Sequence, residues 1–175
     1  YANEVHHVGS LAAAEMTKLL ENTFRAVNIA LANEFADICD HLGIPVNDVI
    51  DAAATKPYGF MAFRPGPGVG GHCIPCDPHY LLWQLRKDRV SAPLIERTMS
   101  EIASRPGRVV ERARAMLSER GVPLSRARIL VVGISYKPDV ADLRESRRGQ
   151  VRAVARCRVL LCHGAPASGC SAWSS

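Results

Sequence analysis

Apolar residues recur near the start of the chain at three- and four-residue steps: Leu20, Phe24, Val27, Leu31, Phe35, Ile38 and Leu42. That period marks one face of an α-helix. Ser10 can cap its start, Ala12, Ala13 and Ala14 favour helix, and Gly43 before Pro45 supplies a stop. The pattern predicts one helix over residues 11–42, roughly 45 Å long at about 1.5 Å per residue. Such a length in a small domain points to a spine linking domains or subunits. A second stripe carries Lys18, Asn22, Arg25 and then Asn28 or Ile29, and on spacing alone its charges read as a solvated face.

Beyond Gly43 the elements shorten. Asn47 can cap a helix ending at Ala54, which Lys56, Pro57, Tyr58 and Gly59 break. Residues 56–76 have no regular period, and so long an irregular stretch in a compact domain marks a functional loop. Asp77 followed by Pro78 predicts an N-cap with proline at the first helical position, opening a helix to about Lys87. Leu94, Ile95, Met99 and Ile102 predict another helix, interrupted at Arg105, Pro106 and Gly107 and resumed over 109–119. The apolar run 127–134 then reads as a buried, parallel-type strand, with Gly133 where strand turns to loop. Residues 147–175 show neither a helical nor a strand period, and 164–175 read as disordered.

Composition narrows the class. A chain of 175 residues, 47% of them hydrophobic, suits one domain or one domain plus part of another. No run approaches the roughly 20 apolar residues that span a bilayer, and no basic start with an apolar run opens a secretory signal. The chain therefore reads as soluble and cytoplasmic, with no membrane partner. Its first residue, Tyr1, hints that part of a longer protein precedes it. The net charge of +5 invites a nucleic-acid reading, but Arg147, Arg148, Arg152, Arg156 and Arg158 lie in a tail without acids. Without them the basic residues equal the 17 acidic ones, so no nucleic-acid partner is expected. Cys157, Cys162 and Cys170 also belong to the tail. The remaining Cys39, Cys73 and Cys76 do not make a disulfide framework and fit a reducing compartment.

Candidate chemistry concentrates in residues 65–79, PGPGVGGHCIPCDPH, which pack four glycines, four prolines, two cysteines, two histidines and an aspartate into one loop. Gly66, Gly68 and Gly71 match the dinucleotide spacing G-x-G-x-x-G, but Pro65 and Pro67 spoil the strand-to-helix context that it needs. His72, Cys73, Cys76 and His79 could be read as zinc ligands, although a second, distant pair is lacking. Cys73 and Cys76 have the spacing of a redox pair, again with no strand before them. In a further reading Cys73 is a nucleophile beside helix-end amides. Asp77 would then activate a water or orient a base, and Lys18 would supply positive charge if the long helix passes beneath.

Three separated stretches resemble the nucleotide-sugar 6-dehydrogenases, the UDP-glucose and UDP-N-acetylhexosamine dehydrogenases. They are residues 15–22 (EMTKLLEN) with Asn33 and Glu34, residues 65–78, and residues 133–139 (GISYKPD) with 142–146 (DLRES). Together they cover about residues 5–146. The PGPGVGGHCIP form is more similar to the members that oxidise UDP-N-acetyl sugars. The resemblance implies a mostly α central domain built on one long helix over 1–121, with catalytic and dimerising roles. It implies the start of an α/β Rossmann-like, UDP-binding domain over 122–146, with the N-terminal Rossmann domain absent. Residues 147–175 depart from the family and look disordered, frame-shifted or foreign.

The implied activity is an NAD⁺-dependent, two-step oxidation of the sugar C6 alcohol to a carboxylate, serving polysaccharide precursor synthesis. Cys73 matches the nucleophile that forms a thiohemiacetal and then a thioester. Lys18 and Asn22 match the groups that stabilise the oxyanion and position water, and Asp77 the carboxylate that assists them. Gly66, Gly68, Gly70 and Gly71 would line the sugar and diphosphate. Lys137 matches a residue at the substrate cleft, and Arg144 one reaching the cofactor. No metal is implied. The long helix would build a homodimer, and the chain alone is not expected to turn over, because the NAD-binding domain is missing from it. A helical dimerisation or nucleotide-sugar-binding module without catalysis is the alternative.

Overall fold

The computed structural model describes residues 4–132 and 158–162. In chain order it contains α1 (Leu11–His41), α2 (Val46–Ala54), α3 (Cys73–Lys87), α4 (Pro93–Ser118), a 3-10 turn (Leu124–Arg126), β1 (Arg128–Val132) and β2 (Arg158–Cys162). In the helical part α1, α3 and α4 touch one another, and α2 rests on α1.

Both ends of α1 follow from their residues. Ser10 is extended and its Oγ accepts the Ala13 N–H at 3.1 Å, satisfying one of the donors that a helix start leaves open. At the other end the Gly43 N–H reaches Asp40 O and the Ile44 N–H reaches Cys39 O at 2.8 Å. This Schellman arrangement needs a left-handed residue, and Gly43 supplies it at φ +69°.

The faces of α1 divide by size. Its buried residues are Asn22, Thr23, Ala26, Ala32, Asn33, Ala36 and Cys39, all small or polar. The large residues of the predicted apolar stripe point away from the core: Leu20, Phe24, Leu31, Phe35, Ile38 and Leu42 are between 44% and 67% exposed. Small inward residues let α3 and α4 approach closely. The core cluster is Ala26, Val69, Leu82, Met99 and Ile102, with Ile29, Ile74 and Ile95 against it. Val69 belongs to the loop before α3, so the loop is anchored by a plug worth about 1.5–3 kcal/mol of burial.

Three boundaries differ from those expected. The short helix α2 starts at Val46 with Pro45 at its cap, and the Asn47 side chain instead accepts from Arg64 Nη1 at 3.2 Å. Asp77 is not a cap, because α3 starts four residues earlier, at Cys73. The first amides of a helix have no partner within it, so Pro75 removes nothing, and only Pro78, fully buried, deletes a helical hydrogen bond. The expected break at Arg105, Pro106 and Gly107 is absent, and α4 runs through it for 26 residues. Pro106 is buried and Arg105 is tied to other elements, which offsets the one bond lost.

β1 and β2 pair in parallel, in the register Arg128↔Arg158 to Val132↔Cys162. β1 falls within the predicted strand, whereas β2 lies where no strand period was apparent: its run of three apolar residues is too short to show one. Among the described residues no helix is long and apolar enough to cross a membrane.

Candidate active site

Asn22 is the pivot of the site. It lies on the inner face of α1, 4% exposed, and its Nδ2 donates to Asp77 Oδ2 of α3 at 2.5 Å. Asp77 can do this because it sits inside the helix rather than capping it. Cys73 lies one turn before Asp77, and residues four apart share a helix face, so thiol and carboxylate are neighbours along α3. Cys73 is a free, exposed thiol at the first helical residue. The structure thus joins Asn22 to Asp77, with Cys73 one helical turn away along α3.

Lys18 is not brought to them. It lies one turn from Asn22 on α1, exposed, and its Nζ donates to Glu21 Oε2 at 2.9 Å. That hydrogen bond and the lysine's charge, with a smaller contribution from Arg25, hold the Glu21 carboxyl below the ordinary glutamate value of 4.5. Lys137 and Arg144 lie outside the described residues.

The glycine loop leads into α3 and needs its glycines at two points. Gly68 has φ +128° and Gly71 φ +84°, conformations that a side chain disfavours. Gly70, between them, is half-buried. Gly66 is held by its peptide group instead. Its N–H donates to Asn33 Oδ1 of α1 at 2.9 Å, and its carbonyl accepts from Arg105 Nε of α4 at 3.2 Å. Arg105, 8% exposed, also donates through Nη1 to Asp37 Oδ1 at 2.6 Å, and Arg108 reaches the other oxygen at 3.2 Å.

Asn33, Asp37 and Arg105 therefore clamp the loop, and sequence reasoning assigned none of them that task. Asn33 and Asp37 share a face of α1 by their four-residue spacing, which was a usable signal. Arg105 was hidden by reading its proline neighbour as a helix break. The clamp borders a cleft of about 750 Å³ lined by Asp40, Asn47, Pro65, Pro67 and Arg112 among others. A second opening, about 460 Å³, lies beside the first turns of α3 between Pro75, Cys76, His79, Tyr80 and Trp83. Among the described residues, no three His, Cys, Asp or Glu side chains converge as a metal's ligands would.

Residues 12–101, which carry Lys18, Asn22, the glycine loop, Cys73 and Asp77, match the model of the UDP-glucose/GDP-mannose dehydrogenase family, central domain. The chain belongs to this family. It is similar to UDP-N-acetyl-D-mannosamine dehydrogenase of Methanococcus maripaludis, 41% identical over 133 residues, covering 76% of this chain and 30% of that protein. The protein of the same name from Yersinia pestis is 40% identical over 151 residues, covering 83% and 35%. Among solved structures, the UDP-D-ManNAc dehydrogenase of Pyrococcus horikoshii superposes with a TM-score of 0.78 at 36% identity, covering 86% of this chain and 36% of that one. A UDP-glucose dehydrogenase from Pyrobaculum islandicum gives 0.76 at 26% identity, covering 86% and 35%. The chain thus spans about a third of the length of these family members.

Proposed function

We propose that the chain is the thiol-bearing central part of an NAD⁺-dependent UDP-sugar 6-dehydrogenase that makes a uronate for polysaccharide precursors in the cytoplasm. The observation that carries this reading is the Asn22–Asp77 hydrogen bond. It joins two residues 55 apart in sequence, both at positions matching the family's catalytic motif, one helical turn from an exposed cysteine. The names of the relatives supply the substrate class, a UDP-N-acetyl sugar, with UDP-N-acetylmannosamine first.

In this reading the Cys73 sulfur adds to the C6 aldehyde, forming a carbon–sulfur bond and a thiohemiacetal. Lys18 and Asn22 face the oxygen that gains charge. Lys18 must leave Glu21 to do so, and water screens an exposed pair of this kind, so it is held only weakly. Once the carbon is at the thioester level, Asp77 accepts a proton from a water held with Asn22. The water oxygen attacks the carbonyl carbon, the carbon–sulfur bond breaks, and the thiolate is regenerated.

Gly66, Gly68, Gly70 and Gly71 line the sugar and diphosphate, with Lys137 at the cleft and Arg144 toward the cofactor. NAD is the hydride acceptor. Gly66, Gly68 and Gly71 do not fit a dinucleotide cradle, since among the described residues no strand precedes them and the helix that they enter begins at Cys73. The described residues account for capture and release of the carbon, not for holding NAD. β1 is read as the opening of the Rossmann-like UDP domain, and β2, paired with it in parallel, carries that reading past residue 146 into the stretch that looked foreign to the family. The exposed ridge from Leu20 to Leu42 is read as the homodimer surface.

The test supplies the purified chain with a relative's cofactor-binding domain, NAD⁺ and UDP-N-acetylmannosamine. Uronate should form, vanish in Cys73→Ser and persist in Cys76→Ser, and uronate made without the Cys73 sulfur would sink the reading. The chain alone should show no appreciable turnover. A thiol comparison adds to this. Cys39 is buried, so its slower alkylation follows from exposure alone, and the informative contrast is Cys73 against the equally free and exposed Cys76.

A further inference from the structure

The earlier start of α3 changes the standing of Cys76. Both thiols now lie in the first turn of one helix, at its first and fourth residues, free and exposed. Residues three apart on a helix have Cα atoms about 5 Å apart, within the roughly 4.4–6.8 Å that a disulfide spans. Their Cβ atoms, about 5–6 Å apart, must close by about 1–2 Å to reach disulfide distance. The first turn allows this, because the amides of Cys73 and Ile74 have no partners within the helix and Pro75 has no N–H to lose. Cys76 also borders the open pocket with His79, Tyr80 and Trp83, so a small oxidant has access from that side.

We propose that Cys73 and Cys76 form a peroxide-reactive dithiol in which Cys76 resolves oxidised Cys73. The Cys73 thiolate attacks a hydroperoxide: a sulfur–oxygen bond forms, the oxygen–oxygen bond breaks, and the departing oxygen takes a proton. The Cys76 thiolate then attacks the Cys73 sulfur, forming the disulfide, while the sulfenic oxygen leaves as water. Two thiols lose two electrons and two protons, and the peroxide is reduced. A small dithiol reverses the change by exchange. Cys73 is thereby kept from the sulfinic and sulfonic states, which do not return. That the bridge silences an enzyme rests on Cys73 being the nucleophile, whereas the pairing itself does not.

The experiment treats the full chain, fully reduced, with hydrogen peroxide and maps the thiols by mass spectrometry before and after dithiothreitol. In a digest with trypsin and chymotrypsin, which separates Cys39 by cutting after Tyr58, Cys73 and Cys76 should be linked to each other within one peptide, and both thiols should return with dithiothreitol. In Cys76→Ser, Cys73 should become irreversibly oxidised at least several-fold faster than in the parent. Equal rates in the two proteins, or a bridge from Cys73 to any other cysteine or to a second chain, overturn the proposal. The readout needs no turnover. If the bridge forms but uronate synthesis survives Cys73→Ser, the dithiol stands and the dehydrogenase reading falls.

Discussion

Replacing Arg105 by Met tests whether the clamp on the glycine loop is built as described. Methionine retains the apolar stem, so the space in the core stays filled while every donor is removed. Two charge-assisted bonds are lost, to Asp37 at 2.6 Å and to the Gly66 carbonyl at 3.2 Å. Each is worth about 1.5–3 kcal/mol, and breaking a fully buried pair costs about 3–5 kcal/mol. The Arg105 side chain is 10% exposed, but Asp37 is 39% exposed and keeps Arg108 at 3.2 Å. Water and Arg108 therefore take over part of the charge, which lowers the loss to about 2–3 kcal/mol. With a urea slope of about 1.5 kcal/mol per molar, the unfolding midpoint should fall by about 1–2 M. Arg105→Lys should recover only part, since an ammonium cannot hold Asp37 and the Gly66 carbonyl in the guanidinium's geometry. A midpoint within about 0.3 M of the parent would refute the clamp, because two such bonds cannot be removed unnoticed.

The remaining predictions concern the site and its approach. Asp77→Asn leaves an acceptor facing Asn22, so stability should drop by about 1 kcal/mol or less, while uronate formation in the reconstituted assay should fall at least about 100-fold. Gly71→Ala forces a side chain to φ +84°. It should cost about 1–2 kcal/mol, read as a melting temperature lower by about 2–8 °C. The Glu21 carboxyl should titrate below 4.5 by NMR and return toward that value in Lys18→Met. A carboxyl lowered in the folded chain stabilises it at neutral pH, and that contribution disappears as acid protonates Glu21, so Lys18→Met should narrow the stability difference between neutral and acidic pH.

The helices were legible where the signal is local. Ser10, Gly43 and the three- and four-residue steps between them fix α1, because capping and periodicity act within a few residues. The start of α3 was misplaced for a physical reason. Asp77 and Pro78 form a good start signal, but Pro75 is equally at home among unpaired first-turn amides, and nothing nearby chooses between the two. Pro106 misled in the opposite sense: its local preference to break a helix is overridden by the burial of its neighbours. Of the predicted group, Asn22 and Asp77 meet in a hydrogen bond, while Lys18 is paired with Glu21 instead. Spacing along α1 puts Lys18 and Asn22 on one side but cannot say that Glu21, three residues away, takes the ammonium. Asn33, Asp37 and Arg105 escaped because their partnership is tertiary, which no local period records.

The peptide group of Gly66 has a consequence for how the chain acquires its site. Its two tethers reach back 33 residues to Asn33 and forward 39 to Arg105, while the Arg105–Asp37 pair spans 68. Contacts this remote in sequence form late, since the entropy of closing the intervening chain must first be overcome. During synthesis α1 and the loop with Cys73 emerge before Arg105 exists. The glycine loop is therefore made first and tethered last, once α4 has docked.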